Sequence, residues 1–312
     1  MRDDTPSRTA AFVAAARQLG QLLPDDLRLV DDPYGAAFTS RWIASMIEQA
    51  IAEDDGSQAP LDVALRRMRG PIAALPGIRR WILYMQIRTR VIDDAIRAFV
   101  AGGGRQLVLL GAGYDCRALR MPELAGVRSF EIDHPATQGH KRATLARIGA
   151  ASPARYVAWD FEERPVEDLP EALAEAGHDA ARPTFTVWEG VTMYLSEPAI
   201  DASLRAIAEW SAPGSQLAMT YIARSRIMNP SLAQRALRAV VSRVGEPWRF
   251  GWEPEELPGY LAERGLELLD DTAISEAAHR LLPQGLADHV YLGDRRVALA
   301  RSGEAIALAR RS

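Results

Sequence analysis

A glycine turn is the first candidate for chemistry in this sequence. The apolar run Leu107–Leu110 leads directly into Gly111-Ala112-Gly113. Glycine tolerates backbone angles and close approaches that a Cβ would block, so such a turn can lie against a ligand. In open α/β sheets, ligands bind beyond the carboxyl ends of strands, which is where this turn falls. The alternative is a tight turn that binds nothing.

Carboxylates stand at the ends of later apolar runs. Glu131 and Asp133 end the run that follows the glycine turn by about 20 residues, a spacing at which a carboxylate commonly binds ribose hydroxyls. Both side chains fall on one strand face, so either can hold the ribose, and solvent exposure is the alternative for Asp133. Glu189 follows the apolar run Phe185–Trp188, which predicts that it is buried. A buried carboxylate needs a cationic ligand or a structural ion pair.

Asp115 and Cys116, which follow the glycine turn, indicate which class of ligand it can bind. Similar turns bind either nicotinamide and flavin dinucleotides or the methyl donor S-adenosylmethionine. The dinucleotide pattern needs a third glycine, and Cys116 takes that position. Asp115 lies where a pyrophosphate would approach a helix, and a carboxylate there repels phosphate although it caps a helix well. We therefore expect S-adenosylmethionine as the cofactor, without a metal.

An arginine on an apolar helix face supports this expectation. Along the helix predicted for residues 79–100, Arg88 shares a face with apolar residues at helical spacing, namely Ile92, Ala95 and Phe99. A guanidinium on such a face is costly without an anion, and the carboxylate of the donor can accept two hydrogen bonds from it. A structural carboxylate or a reach to water is the alternative. Arg90 lies on a polar stripe with Asp94 and Arg97 instead.

The elements that position these residues alternate between strand and helix. Five short apolar runs separated by helix-compatible stretches lie between Gln106 and Ile222, which predicts a doubly wound, mostly parallel α/β sheet. An antiparallel edge pair, Leu266–Ala273 and Val297–Ala300, raises the expected number of strands to seven. We expect residues 1–102 to form a helical cap that includes the Arg88 helix. Residues 103–312 are expected to form the Rossmann-like core, with a helical insertion at 224–264, as one structural unit.

Four segments resemble, in order, the leucine carboxyl methyltransferase family: Arg88–Asp93, Gly111–Arg117, Glu131–Pro135 and Trp188–Leu195. The chain is more similar to the bacterial O-methyltransferases of small molecules, such as those of tetracenomycin-type polyketides, than to the methyltransferases of protein phosphatases. The resemblance covers residues 76–222 best. It implies a seven-stranded methyltransferase fold and S-adenosylmethionine as the donor, with S-adenosylhomocysteine as the product.

The resemblance also implies roles for individual residues. At the methionine end of the donor, Arg88 binds the carboxylate, while the Gly111 carbonyl and Glu189 face the ammonium, with Gly113 completing the turn. Asp133 accepts from the ribose hydroxyls. Asp160 accepts from the adenine amino group, or else caps the residues that follow it.

One residue beside the adenine site departs from the family. Phe161 lies beside the ring where members often have leucine. A backbone contact survives that change, and the phenylalanine ring can also pack on adenine.

The acceptor is predicted from the chemistry of the donor. A sulfonium methyl group is already activated, so the protein mainly supplies orientation and desolvation. A carboxylic acid has a pKa of about 4 and needs no base at neutral pH, whereas a phenol with a pKa of about 10 normally does. No base is assigned, so a carboxylate is the favoured acceptor and a phenol the next. Tyr194, Trp248 and Trp252 are expected beside an aromatic or apolar small molecule, with core packing as the alternative.

Composition limits the other partners. The net charge is −4, and 36 of the 37 basic residues are arginine, so clustered cations for nucleic acid are not expected. No run reaches the ~20 apolar residues that span a membrane, and no signal peptide is apparent, so a cytoplasmic location is expected. A nicotinamide-dependent oxidoreductase and a non-catalytic S-adenosylmethionine-binding protein are the alternative functions. The oligomeric state is not predicted.

Overall fold

The computed structural model describes residues 7–39, 78–228, 248–288, 290 and 292–303. Its centre is one sheet of seven strands in the order β3-β2-β1-β4-β5-β7-β6. The strands are β1 (Gln106–Leu110), β2 (Arg128–Asp133), β3 (Arg155–Ala158), β4 (Phe185–Trp188), β5 (Gln216–Ile222), β6 (Leu266–Ala273) and β7 (Arg295–Ser302).

Parallel pairing joins the first five strands, and antiparallel pairing joins the last two. Strand β1 pairs with β2 on one side and β4 on the other, for example Leu109 with Glu131 and with Val187. Strand β7 runs antiparallel to both β5 and β6. The chain thus reverses its direction of winding between β1 and β4, and ligands bind at such a switch point in open α/β sheets. The predicted doubly wound, seven-stranded fold is confirmed.

Apolar residues cover both faces of the sheet. In β1, Leu107 and Leu109 pack into one buried cluster, while Val108 and Leu110 pack into the cluster on the opposite face. This alternation explains why the strand reads as a continuous apolar run, since both faces of a parallel sheet are buried.

Helices form the two outer layers. In the described residues they are α1 (Arg8–Gly20), α2 (Ile78–Ala101), α3 (Arg117–Arg120), α4 (Pro135–Arg147), α5 (Leu169–Glu175), α6 (Glu197–Trp210), α7 (Arg224–Met228), α8 (Leu257–Ala262), α9 (Ile274–Leu281) and α10 (Gln284–Ala287). Within these same residues, no helix is both long and apolar enough to cross a lipid bilayer.

The cap and the late helical segment are described in part. Helices α1 and α2 lie against each other, with Leu19 of α1 and Ile82 of α2 in the same buried cluster. The expected helical insertion, residues 224–264, contains helices α7 and α8. Its residues 229–247 lie outside the described residues. The limits of the cap and of the insertion stay predictions.

Candidate active site

The glycine turn directly follows β1 at the switch point of the sheet. Gly111 and Gly113 have positive φ angles of 70° and 52°, which only glycine adopts without strain. A Cβ on Gly111 would lie 2.7 Å from Cγ2 of Val191, in the loop after β4. The Gly111 and Ala112 amides both donate to the Ile132 carbonyl of β2, at 2.9 and 3.0 Å. The turn is therefore held between the ends of β2 and β4.

Asp133 is the acidic residue of β2 that reaches this turn. Its carboxylate accepts from the Gly113 amide at 2.5 Å and from the His134 amide at 2.7 Å. Burial raises the pKa of Asp133 above its ordinary value of 3.8, against the effect of these two amides. Glu131 lies deeper, at 1% exposure, and pairs with Lys141 Nζ at 2.5 Å. The structure thus separates the two candidates for the ribose, because Glu131 already has a buried partner.

Arg88 and Glu189 meet directly. Arg88 Nε lies 2.6 Å from Glu189 Oε1, and the two side chains are 6% and 9% exposed. The helical phase predicted that Arg88 is buried beside Ile92 and Phe99, and this is confirmed. In the structure Arg88 pairs with a carboxylate of the protein, Glu189, which is the alternative that the sequence left open. The residue on the polar stripe, Arg90, pairs with Asp94 as the phase predicted.

A second arginine holds the other oxygen of Glu189. Arg117 Nη1 lies 2.7 Å from Glu189 Oε2, and its Nε lies 2.7 Å from Asp93 Oδ1. Arg117 also pairs with Asp115, and Arg120 pairs with Asp93 at 2.7 Å. Beside them Arg17 pairs with Asp32 at 2.9 Å. The buried ion network thus comprises four arginines and four carboxylates: Arg17, Arg88, Arg117, Arg120, Asp32, Asp93, Asp115 and Glu189.

The network keeps the Arg88–Glu189 pair charged. Burial alone would raise the pKa of Glu189, but the guanidinium groups of Arg117 and Arg88 outweigh it and hold this pKa well below its usual range. Burial would likewise lower the pKa of Arg88, but the negative charge of Glu189 raises it above its ordinary value. Arg88 of α2 and Glu189 after β4 are therefore a buried cation and a buried anion side by side, near the glycine turn.

The N-terminus of helix α3 is hydrogen-bonded to a side chain of the protein, Asp115. Asp115 accepts from the Arg117 amide at 2.7 Å and pairs with the Arg117 guanidinium. Cys116, at the position of the missing third glycine, is 1% exposed. A phosphate group at this helix terminus would meet a carboxylate that is already bonded there, so the geometry disfavours a pyrophosphate.

Asp160 and Phe161 follow β3, at the same edge of the sheet as Asp133. Asp160 accepts from the Glu162 amide at 2.9 Å, so it caps the residues that follow it, as the alternative to adenine binding predicts. Its other oxygen lies 3.1 Å from Nε2 of His134, the residue after Asp133. Phe161 is 44% exposed, unusually much for a phenylalanine ring. Asp160 is thus joined through His134 to the end of β2.

Two of the three predicted acceptor residues lie together beside Arg88. The side chains of Tyr194 and Trp248 pack against the same small buried cluster. Tyr84, one turn before Arg88 in α2, has its hydroxyl 3.3 Å from Arg88 Nη1. Arg88, Tyr84 and Tyr194 also interact electrostatically. These side chains form an aromatic group next to the Arg88–Glu189 pair.

Trp252 departs from its expected role as an acceptor contact. It is 0% exposed and packs edge-on against Tyr221 of β5, with 5.7 Å between the ring centroids. It also packs on Tyr260 of α8 at 5.4 Å. The physical reason is its bridge to Ala223 at the end of β5, which fixes the ring inside the core. Trp252 is therefore a core residue packed between strand β5 and helix α8.

Arg17 and Arg117 are site residues that the sequence reasoning did not select. Arg17 of α1 donates to the Tyr114 carbonyl at 2.6 Å, so the first helix is bonded to the glycine turn. Its helical phase with Ala14 was an available signal, the same one that separated Arg88 from its neighbours. For Arg117 the apolar pattern around α3 is too short to reveal a phase.

Within the described ranges, no group of three or more His, Cys, Asp or Glu side chains is arranged to hold a metal ion.

Comparisons with known proteins agree with one another. Residues 10–208 match the model of the leucine carboxyl methyltransferase family. A Streptomyces coelicolor relative named "Putative S-adenosyl-L-methionine-dependent methyltransferase SCO7813" is 35% identical, over 83% of this chain and 82% of its own length. A Mycobacterium ulcerans relative with the same general name is also 35% identical, over 90% of this chain and 86% of its own.

Solved structures share the fold. A "putative methyltransferase" of Thermobifida fusca has a TM-score of 0.54 and 19% identity, over 91% of this chain and 97% of its own. A protein of the DUF574 family from Streptomyces avermitilis has a TM-score of 0.52 and 17% identity, over 82% of this chain and 95% of its own. At these identities the likeness shows the architecture alone.

Proposed function

The chain belongs to the leucine carboxyl methyltransferase family and is an S-adenosylmethionine-dependent methyltransferase, and from this premise we propose that it methylates a carboxylate oxygen of a small molecule. A phenolic hydroxyl is the second candidate acceptor. The observation that carries the proposal is the buried Arg88–Glu189 pair beside the glycine turn.

The pair is complementary to the methionine end of the donor. An α-amino acid carries an ammonium and a carboxylate on one carbon, and Glu189 and Arg88 offer the opposite charges 2.6 Å apart. In the proposal, Glu189 and the Gly111 carbonyl bind the ammonium while Arg88 binds the carboxylate by two hydrogen bonds. Arg117 stays on Glu189 at 2.7 Å, so the carboxylate keeps a partner when Arg88 turns to the ligand.

The charge balance of the network fits this ligand. Four arginines face four carboxylates, and a zwitterion adds one charge of each sign. Binding of the donor's amino acid group therefore adds no net charge to the network, which limits the cost of burying its ions. The positive charge of the sulfonium is additional to this balance. A ligand with a pyrophosphate adds negative charge next to Asp115 and lacks this fit.

The adenosine part is assigned to the ends of β2 and β3. Asp133 is partly accessible at the turn and holds acceptor oxygens next to Gly113, whereas Glu131 is tied to Lys141. We therefore assign the ribose to Asp133. Asp160 and the exposed ring of Phe161 follow the neighbouring strand and are assigned to the adenine.

The chemistry asks little of the protein beyond orientation. Bound S-adenosylmethionine supplies a methyl group on a sulfonium, which is already activated for displacement. Arg88 and Glu189 fix the methionine end, and Tyr84, Tyr194 and Trp248 exclude water on the acceptor side. A carboxylate acceptor is ionised at neutral pH because its ordinary pKa is about 4, so no side chain has to remove a proton.

Turnover with chemically matched acceptors tests the proposal. The purified chain is incubated with S-adenosylmethionine and a panel of aromatic and aliphatic carboxylic acids, beside the corresponding phenols and amides. Mass spectrometry of the products is expected to reveal methyl esters. Methyl ethers without esters would move the assignment to phenols. Tight donor binding with no methylated product from a broad panel would support a binding protein instead.

A further inference from the structure

Arg295 is a cation beside the aromatic group that the donor assignment does not use. It begins β7, and its guanidinium carbon lies 4.7 Å from the ring centroid of Tyr84 and 5.4 Å from that of Trp248. Burial alone would raise the pKa of the Tyr84 hydroxyl, but the positive charges of Arg88 and Arg295 lower it below its ordinary value. That hydroxyl accepts from Arg88 Nη1 at 3.3 Å. Tyr84 thus contacts two guanidinium groups, Arg88 through its hydroxyl and Arg295 through its ring.

The two guanidiniums differ in their ion partners. Arg88 pairs with Glu189, and every arginine of the buried ion network has a carboxylate. The neighbours of Arg295 in sequence are also paired, since Asp294 lies 2.9 Å from Arg226 and Arg296 lies 2.9 Å from Asp271. Among the described residues, Arg295 contacts the rings of Tyr84 and Trp248 and no carboxylate.

A half-buried cation of this kind marks the place of an anion. Removing a guanidinium from water costs free energy unless it gains an anionic partner, and aromatic faces offset only part of that cost. The balanced network cannot supply the partner, because each of its carboxylates already has an arginine. An incoming anion with an apolar body matches both the charge of Arg295 and the rings around it.

We propose that Arg295, together with the Tyr84 hydroxyl, binds the carboxylate of an acidic aromatic methyl acceptor whose ring packs on Trp248 and Tyr194. This assignment rests on the proposed function, which it deepens by naming the acceptor class. Arg88 holds the carboxylate of the donor and Arg295 that of the acceptor, with Tyr84 between them. The enzyme therefore selects acids over neutral analogues of the same shape.

The assignment is compatible with the transfer step. A carboxylate has two oxygens, so one accepts from Arg295 while the other remains free to attack. A bond forms between the attacking oxygen and the methyl carbon, and the carbon–sulfur bond breaks with its electron pair staying on sulfur. The acceptor loses its negative charge and the sulfonium its positive charge, so no proton has to move. The neutral ester then has a weaker hold on Arg295, which favours product release.

Equilibrium binding tests this assignment. The full chain, saturated with S-adenosylhomocysteine, is titrated calorimetrically with benzoate, 2-naphthoate and indole-3-acetate and with their neutral amides. The wild type is expected to prefer at least one acid to its amide by about tenfold or more, the usual range for a charge-assisted hydrogen bond. Arg295→Met is expected to abolish the preference, and Arg295→Lys to retain part of it. Arg301→Met, at the other end of β7 in an exposed pair with Glu267, is the matched control and should behave as wild type.

The outcomes separate this inference from the proposed function. Equal acid binding by the wild type and Arg295→Met overturns the acceptor role of Arg295, as does a wild type that binds acids no better than amides. If Arg295→Met also loses S-adenosylhomocysteine or unfolds well before Arg301→Met, Arg295 is structural and the proposal is wrong. Because binding is measured without turnover, a failure to form esters contradicts the proposed reaction and leaves this result unaffected.

Discussion

Arg88 and Glu189 are 101 residues apart in the chain, yet Arg88 Nε lies 2.6 Å from Glu189 Oε1 in the buried site. The contact joins helix α2 of the cap to the loop after β4. It also places opposite charges next to the glycine turn, where the methionine end of the donor is assigned. The pair therefore links the fold of the cap to the proposed cofactor site.

The first prediction concerns the stability of the ion network. Asp93 is 1% exposed and is shared by Arg117 and Arg120. Asp93→Asn removes the carboxylate that holds buried Arg120, while Arg117 keeps Asp115 and Glu189. Breaking a buried pair in this way costs about 3–5 kcal/mol, and the free energy of unfolding in urea should fall by that amount. The control is Asp94→Asn next to it, at 45% exposure, which should change stability by less than about 1 kcal/mol. Similar losses in both variants would contradict the network.

The second prediction concerns the pH dependence of donor binding. Burial raises the pKa of Asp133 above 3.8, so this carboxylate takes up its proton at a higher pH than an exposed aspartate does. The affinity for S-adenosylhomocysteine should therefore decline as the pH falls through that raised pKa. Glu189 stays ionised there, because Arg117 and Arg88 lower its pKa despite burial. By calorimetry, Asp133→Asn should bind S-adenosylhomocysteine more weakly than the wild type, and its affinity should not fall further in acid. If its affinity falls with pH as that of the wild type does, another group causes the decline.

Glu131 provides the matched comparison for Asp133. It is the other acidic residue on this strand face, and it pairs with Lys141 in the core. Glu131→Gln is expected to lower the melting temperature. The folded variant should retain nearly wild-type affinity for S-adenosylhomocysteine. If Glu131→Gln loses more affinity than Asp133→Asn does, Glu131 and not Asp133 is the residue that binds the ribose.

The third prediction separates donor classes. NAD⁺ and NADP⁺ are expected to give no binding heat with the wild type, since Asp115 and the Arg117 amide occupy the helix start that a pyrophosphate needs. S-adenosylhomocysteine is expected to bind under the same conditions. Binding of a nicotinamide cofactor without S-adenosylhomocysteine would favour an oxidoreductase.

The fourth prediction separates the two acceptor classes by rate. With a carboxylic acid as acceptor, kcat/KM should be flat between about pH 6 and about pH 8, because an acid with a pKa of about 4 is already ionised. A phenol, with a pKa of about 10, should instead give a rate that rises with pH over the same range. Rising rates with every acceptor that turns over would contradict carboxyl methylation.

Local patterns were sufficient to predict the fold. The continuous apolar runs of β1 and β4 predict strands buried on both faces, and the structure confirms them. The helical phase of α2 predicts that Arg88 is buried and that Arg90 is on the polar side, because the period of a helix is a local property. Helix α1 has the same local signal, since Arg17 follows buried Ala14 by one helical turn.

Long-range contacts were not predictable in the same way. That Arg88 meets Glu189, and that Arg117 bridges Glu189 to Asp93, depends on where α2, α3 and β4 lie in space. No local pattern contains this information. From the sequence Trp252 could contact the acceptor or pack in the interior, and its complete burial beside the bridge to Ala223 assigns it to the core.

The most direct test of the central claim compares two ligands that differ only at the methionine end. S-adenosylhomocysteine carries the amino acid group, whereas 5′-methylthioadenosine lacks it. Calorimetry with the wild type, Arg88→Ala and the control Arg90→Ala provides the comparison. The wild type and Arg90→Ala should prefer S-adenosylhomocysteine by more than about tenfold. Arg88→Ala should lose most of that preference and bind 5′-methylthioadenosine as the wild type does. Undiminished preference in Arg88→Ala would contradict the assignment of this pair to the methionine end of the donor.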